Sequence, residues 1–244
     1  MSICDLILSS NFINGSLDAT QKPLKPTTRY SINNNGDHTP LNYKALDVSA
    51  LHFGGIREYD VHNLYGTTEG IATRTALLSH NPKKRPFILS RSTFPGAGHH
   101  VAHWLGDNHA TFESMRYSIP GALAFNMFGI PLVGADACGF LEETNEELCA
   151  RWMALGAFYP FARHHHDKNS NDSFPYLWNS VKEISQIYLN ARYSILSFYY
   201  TQFFKASTEA KTVIQPLFFE FGKEEETYGI DTQFLVEHTS LICL

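Results

Sequence analysis

The stretch RPFILSRSTFPGAGHHVAHWLGDN, residues 85–108, decides the fold class. Its first part, residues 85–91, is a short apolar run that ends in a charged residue, as buried parallel strands commonly do. A second run of this kind, IPLVGAD, occupies residues 130–136. Between the two runs, residues 111–129 have helical spacing, with Pro120 expected to kink or break the helix. A strand, a helix and a second strand in this order predict a βαβ unit.

The remaining apolar segments continue this alternation of helices and strands. They predict helices over 56–80 (ended by Pro82), over 146–161, and over 181–207 as one long helix or a pair, and a further strand over 213–221. We therefore expect an α/β protein with parallel strands. Arg91 and Asp136 come at strand ends, which is where α/β barrels place their active sites.

Composition narrows the class of partner. The 244 residues are 43% hydrophobic with a net charge of −5, which is globular and lacks the basic footprint of a protein that binds nucleic acid or an anionic membrane. No apolar run approaches the length of a membrane span. Residues 13–47 are rich in Asn, Pro, Thr and Lys and predict a long loop.

Cysteines and glycosylation patterns bear on the cellular compartment. None of the four cysteines forms a CxxC pair, and Cys138 and Cys149 are near enough in sequence to bridge a short loop, although spacing alone does not settle it. Asn14-Gly-Ser and Asn171-Asp-Ser fit the N-glycosylation pattern of secretory proteins. The first ten residues do not resemble a signal peptide, so we expect the chain to start inside a longer protein.

The histidines suggest a metal site only at first sight. His99, His100 and His103 cluster, as do residues 164–166, but three consecutive histidines cannot all face one metal. HHVAH also lacks the glutamate of a zincin motif. We predict no metal and no organic cofactor. The absence of a G-x-S-x-G elbow, a P-loop and a G-x-G-x-x-G motif disfavours serine-triad hydrolysis, phosphoryl transfer and dinucleotide redox chemistry.

Three polar residues have two interpretations each. Asp107 in Gly-Asp-Asn is either a turn residue or an acid that, desolvated beside Trp104, could stay protonated and donate a proton. Arg91 is either a solvated or ion-paired side chain or a fork of donors for a ligand. Asp136 either belongs to a binding pocket or caps the following helix.

Five segments resemble, in order, the glycoside hydrolase family 31 α-glucosidases, with the animal lysosomal and intestinal maltase-type members most alike. The segments are YDVHNLYG, residues 85–108, YSIPGALAFNMFGIPLVGADACGF, EELCARWMALGAFYPFARHHHD and PLFFEF. The resemblance covers roughly residues 5–235. It implies a retaining α-glucosidase on a (β/α)8 barrel that hydrolyses α-glucosides or oligosaccharides in a lysosomal or secretory setting.

The resemblance also assigns roles to single residues. It implies that Asp107 is the general acid/base and that Cys138 and Cys149 form a disulfide. The residues that it assigns to sugar binding are Arg91, Trp104, Asp136, Phe140 and His165. Asp5 aligns with the nucleophile, although the neighbouring tryptophan, asparagine and glutamate of the family motif are replaced by Ile3, Ile7 and Leu8.

The family pattern predicts three regions and a barrel truncated at both ends. Residues 1–47 would be a remnant of the nucleophile strand followed by a long loop, residues 48–235 the later βα units, roughly the second half of the barrel, and residues 236–244 a divergent tail. The leading hypothesis is an α-glucosidase fragment. The alternatives are a catalytically inactive sugar-binding or regulatory fragment, and an incomplete gene model of an active enzyme.

Overall fold

The computed structural model describes residues 46–47, 49–236 and 240–243. Within them, helices and strands largely alternate as the sequence predicts, but a strand at Ala102–Trp104 that was not predicted follows the strand at Leu89–Ser90 without an α-helix between them. The α-helices are α1 (Glu58–Val61), α2 (Tyr65–His80), α3 (Phe112–Met127), α4 (Glu146–Gly156), α5 (Asn179–Ser194) and α6 (Leu196–Glu209). Short 3₁₀ turns span His62–Leu64, Ala97–His99, Pro175–Leu177, Leu217–Phe219 and Glu225–Thr227. No described helix is long and apolar enough to cross a membrane.

Local sequence explains the helix bounds. The side chain of Thr111 accepts a hydrogen bond from the Ser114 N–H at 3.1 Å and so begins α3. Asn145 does the same for the Leu148 N–H at 3.0 Å, at the start of α4. Helix α3 runs through Pro120 without the break that the sequence allowed. The segment 181–207 is a pair of helices, α5 and α6, rather than one.

A run of parallel strands carries the site. Strand β1 (Leu89–Ser90) pairs with β2 (Ala102–Trp104), and β2 pairs with β3 (Val133–Gly134). One residue beyond β3, β4 (Asp136–Ala137) pairs with β5 (Arg163–His164). The two pairings therefore continue one another across residue 135. The pairs among β1 to β5 are all parallel, as the sequence predicts, and the described strands do not close into a barrel.

A third sheet departs from the sequence prediction. Strand β6 (Ile214–Gln215) pairs antiparallel with β7 (Gln233–Val236), which pairs antiparallel with β8 (Ser240–Cys243). The strand expected over 213–221 is thus short, and a 3₁₀ turn follows it. Pro216 accounts for the early end, because proline has no N–H to donate to a ladder.

The core lies between the strands and the helices α3 and α4. Its largest members are almost fully buried, and they include Ile119, Val133, Trp152, Tyr159 and Phe234. A buried polar group also joins the layers: Asn126 Oδ1 accepts the backbone N–H groups of Val213 and Ile214 at 2.9 and 3.2 Å. The strand ends that carry the polar residues therefore rest on a packed base.

Candidate active site

Charged and aromatic side chains gather where the parallel strands end. Arg91 follows β1 and Trp104 ends β2, while Asp136 and Arg163 stand opposite each other in the short β4–β5 pair, which comes just after β3 along the chain. Asp107 lies three residues beyond β2. Because the strands are parallel, their carboxyl ends meet at one edge, which is the usual position of an active site in α/β folds.

Asp107 and Arg91 face each other at this edge. Arg91 Nη1 donates to Asp107 Oδ2 at 3.4 Å, and their side chains are 57% and 41% exposed, so both can reach a ligand. The turn and acid interpretations of Asp107 are compatible, because the turn presents the carboxylate. Gly106 makes the turn with φ of +86°, and a Cβ there would lie 2.7 Å from Arg91 Nε.

Asn108 fastens the Asp107 loop to the loop that follows β4. Its Nδ2 donates to the Asp136 carbonyl at 2.9 Å. Its own carbonyl accepts the N–H groups of Phe140 and Leu141 at 2.8 and 2.9 Å. Asp107 is therefore held on a braced loop rather than on a free one.

The carboxylate of Asp136 is fully buried and paired with Arg163, whose Nε donates to Oδ1 at 2.8 Å. Burial raises the pKa of Asp136, and the hydrogen bond and charge of Arg163 oppose this rise. His165 also lowers it and Asp107 raises it, so both lie within electrostatic range. Asn145, not Asp136, caps α4, which removes the helix-cap interpretation of Asp136.

Aromatic groups complete the edge. The guanidinium of Arg163 lies 5.3 Å from the centroid of the Trp104 ring. The rings of Phe140 and His165 are 5.0 Å apart, and the Asp167 N–H donates to the Phe140 carbonyl at 2.9 Å. All the described residues that the resemblance assigns to sugar binding thus lie on the loops and strand ends of one edge.

The histidines do not form a metal site in the described part of the chain, where no group of three or more potential ligands could hold an ion. His103 instead stacks on Phe125, with ring centroids 3.8 Å apart, and hydrogen-bonds Thr93 at 3.1 Å. Burial, assisted by the charge of Arg91, lowers the pKa of His103 to about 4. His103 is therefore a neutral packing residue near neutral pH.

An open cavity of about 850 Å³ lies beside Arg91. Its walls include Glu58, His62, Tyr65 and His103. Glu58 is almost fully buried, and its carboxylate bonds both His52 and His62. The cavity shows that one side of Arg91 is open among the described residues.

A disulfide joins Cys138 to Cys149, the pairing that the resemblance implies. Both residues are fully buried, and the bond ties the loop after β4 to helix α4. Cys243 is free and exposed. The disulfide braces the same loop that Asn108 also holds.

Sequence reasoning missed two residues of this edge and leaves one outside it. Arg163 stands directly before three histidines in RHHHD, and its position after an apolar run, like that of Arg91, is the sequence signal that could have found it. Asn108 passed as turn chemistry, although its amide reaches 28 positions along the chain. Asp5, the predicted nucleophile, lies outside the described residues.

The fold and the site define an α/β protein with a polar and aromatic strand-end site of the barrel type. The chain belongs to glycoside hydrolase family 31: residues 14–202 match the family model described as "Glycosyl hydrolases family 31 TIM-barrel domain".

Relatives and solved structures agree with this membership. A probable alpha-glucosidase of Oryza sativa subsp. japonica is 47% identical over 234 residues, which cover 96% of this chain and 26% of that protein. Intestinal sucrase-isomaltase of Homo sapiens is 50% identical over 195 residues, covering 79% and 11%. The Tris-bound crystal structure of glucosidase II alpha subunit superimposes with a TM-score of 0.75 at 36% identity, covering 82% and 22%. The chain spans about a quarter of the length of the rice relative.

Proposed function

We propose that this chain carries the acid/base side of a retaining α-glucosidase active site. The observation that supports it most directly is the exposed Asp107 carboxyl, held 3.4 Å from Arg91 at the ends of parallel strands in a family 31 domain. The strands would be later βα units of an eightfold barrel, roughly its second half.

In the proposed reaction Asp107 protonates the glycosidic oxygen as the bond to the anomeric carbon breaks. A second carboxylate attacks that carbon and forms a covalent glycosyl-enzyme. Asp107, now a base, then takes a proton from the water that hydrolyses it. Arg91 binds sugar hydroxyls through its fork of donors, and Trp104, Phe140 and His165 line the glucose subsite.

Asp136 is a poor candidate for the second carboxylate. Its side chain is fully buried and one oxygen is held by Arg163, so it cannot reach an anomeric carbon. The proposed nucleophile is Asp5, the residue that the family resemblance assigns to this role. Retention requires its carboxyl roughly 5–5.5 Å from that of Asp107.

The proposed substrates are α-glucosides and short oligosaccharides. The rice relative is described as a probable alpha-glucosidase, and the human relative as a sucrase-isomaltase. The Cys138–Cys149 disulfide supports a lysosomal or other secretory location, since disulfides persist in oxidising compartments.

The test measures hydrolysis of a chromogenic α-glucoside by the purified chain. Asp107→Asn should lower kcat by about a thousandfold or more, since it removes the acid/base group of both steps. Asp172→Asn, a change at an exposed loop aspartate, is the matched control and should leave kcat unchanged. Labelling with a fluorinated glucoside followed by peptide mass spectrometry should place the covalent adduct on Asp5.

An adduct on another residue would rule out Asp5 as the nucleophile and leave the proposed role of Asp107 unchanged. The inactive sugar-binding alternative predicts a different pattern: no turnover, together with glucose binding in calorimetry that Arg91→Met abolishes. Hydrolysis that survives in Asp107→Asn would overturn the role of Asp107.

A further inference from the structure

Arg163 makes two directional contacts with one guanidinium group. Its Nε and Nη2 both donate to Asp136 Oδ1, and its planar carbon centre lies 5.3 Å from the Trp104 ring centroid. The Phe161 ring lies 5.5 Å from the same centre. A guanidinium whose edge is bonded to a carboxylate and whose carbon lies over an indole ring has a set position.

Backbone register brings these groups together. Asp136 stands opposite Arg163 in the β4–β5 pair, and Trp104 stands opposite Gly134 in the β2–β3 pair. Gly134 permits the backbone just before β5 to approach β3 closely, because a Cβ on Gly134 would lie 1.9 Å from the carbonyl oxygen of Phe161. Arg163 can therefore reach across the β3–β4 segment to the side chain that ends β2.

We propose that Arg163 is a positioning residue that holds the Trp104 indole in place as the wall of the sugar subsite. Asp136 holds Arg163 through their hydrogen bonds and does not itself contact the sugar. This inference rests on the proposed function, because it gives Trp104 its role as that wall.

The burial of Asp136 distinguishes an anchor from a ligand-binding group. Its side chain has no exposed surface, and its Oδ1 accepts both bonds from Arg163. Arg163 is 28% exposed and lies between this carboxylate and the indole. The contact with Trp104 is therefore made by the arginine and supported by the aspartate.

Loss of Arg163 has two consequences that a single substitution would mix. It frees the indole, and it leaves a buried carboxylate without its paired cation, which destabilises a fold whatever the arginine does for catalysis. A second substitution at the anchor separates them: Arg163→Met with Asp136→Asn removes the buried charge as well as the cation.

The experiment compares Arg163→Met, Arg163→Lys and the double variant Asp136→Asn/Arg163→Met with the unaltered chain. Arg116→Met is the matched control, because Arg116 also pairs with an aspartate, Asp231 at 2.7 Å, on an exposed surface away from the strand ends. Each protein is measured for Tm, for kcat and KM on a chromogenic α-glucoside, and for its tryptophan indole N–H signals by NMR.

The indole signals report on positioning without any need for activity. The chain has three tryptophans, Trp104, Trp152 and Trp178, and Trp104→Phe identifies the signal of the first. We expect Arg163→Met to shift or broaden the Trp104 signal and leave that of the buried Trp152 in place. The control variant should leave all three signals unchanged.

The value of kcat/KM should fall in the variants that displace the Trp104 indole. We expect Arg163→Met to lower kcat/KM by about a hundredfold, mainly through kcat, as misplacement of a positioning group can do. Lysine keeps the charge but not the planar fork, so Arg163→Lys should recover only part of the loss. The double variant should regain most of the Tm while kcat/KM and the Trp104 signal stay altered.

Recovery of both Tm and kcat/KM in the double variant would overturn the inference, since the pair would then serve stability alone. An unchanged Trp104 signal in Arg163→Met would overturn it too. If the unaltered chain hydrolyses no α-glucoside, the proposed function fails, and the indole signals still decide whether Arg163 positions Trp104.

Discussion

At the scale of single residues, the contact between Arg91 and Asp107 depends on Gly106, which has no side chain. Gly106 has φ of +86°, a conformation that costs other residues free energy, and a Cβ on it would lie only 2.7 Å from Arg91 Nε. The glycine of GDN therefore sets the direction of the carboxylate and leaves room for the arginine.

Gly106→Ala should lower both stability and activity. The left-handed backbone should cost about 1–2 kcal/mol of unfolding free energy, and the displaced Arg91 should lower kcat/KM by about tenfold or more. Urea unfolding and the kinetics of a chromogenic α-glucoside measure the two effects. Gly96→Ala is the matched control, since Gly96 has φ of +87° with no atom near its missing Cβ. It should lose similar stability and keep its activity; equal kinetic losses in both variants would contradict the steric argument.

At the scale of elements, α5 stabilises the turn that links α4 to β5. Arg192 Nη1 donates to the carbonyls of Ala157 and Tyr159 at 2.6 Å, and Nη2 donates to that of Pro160 at 3.0 Å. The Tyr199 ring of α6 lies 5.3 Å from the same guanidinium. One arginine thus satisfies the carbonyls of a turn that leads towards Arg163.

Arg192→Met should destabilise the protein by about 3 kcal/mol, because hydrogen bonds from a charged donor are lost and partly buried carbonyls are left unpaired. Urea unfolding followed by circular dichroism measures the change. Arg151→Met is the control: Arg151 bonds Glu147 one helical turn away on an exposed surface, and its loss should cost about 0.5 kcal/mol or less. If Arg192→Met lowers the free energy of unfolding as little as the control does, the turn does not depend on the hydrogen bonds of Arg192.

At the scale of the whole molecule, two buried polar residues connect the layers. Asn126 of α3 bonds the backbone just before and within β6, which joins the antiparallel sheet to the helix that covers the parallel strands. His103 of β2 packs on Phe125 of the same helix. Global unfolding must break both connections and expose the imidazole.

The titration of His103 should make global stability depend on pH. Its pKa is about 4 in the folded protein and near 6.5 when unfolded, so protonation favours the unfolded chain. The free energy of unfolding should be highest above about pH 6.5, and it should fall by about 3 kcal/mol as the pH drops to about 4. The difference in unfolding free energy between the unaltered chain and His103→Gln should shrink over this window.

Ile119→Val serves as the control for that measurement, since Ile119 is fully buried in α3 and has no titratable group. Its difference from the unaltered chain should stay nearly constant between pH 6.5 and 4. A constant difference for His103→Gln as well would contradict a buried, neutral His103.

Much of the architecture could be read from the sequence. Apolar spacing and the charges that end the strands are properties of short segments, so they predict the helices and the parallel strands. The motifs from residues 85–108 onward also identify the family, which the match over residues 14–202 confirms.

Other features were decided only by the tertiary structure. The bond between Arg163 and Asp136 joins residues 27 positions apart, and Asn126 bonds backbone 87 positions away. No local pattern encodes such distances, because they depend on how strands register and helices pack. The sequence by itself determined most of the helices, the parallel strands that lead to Arg91 and Asp136, the family, and several of the residues that could do chemistry. The tertiary structure decided that Arg163 stands between a buried carboxylate and the Trp104 indole, because only packing sets which side chains share a space.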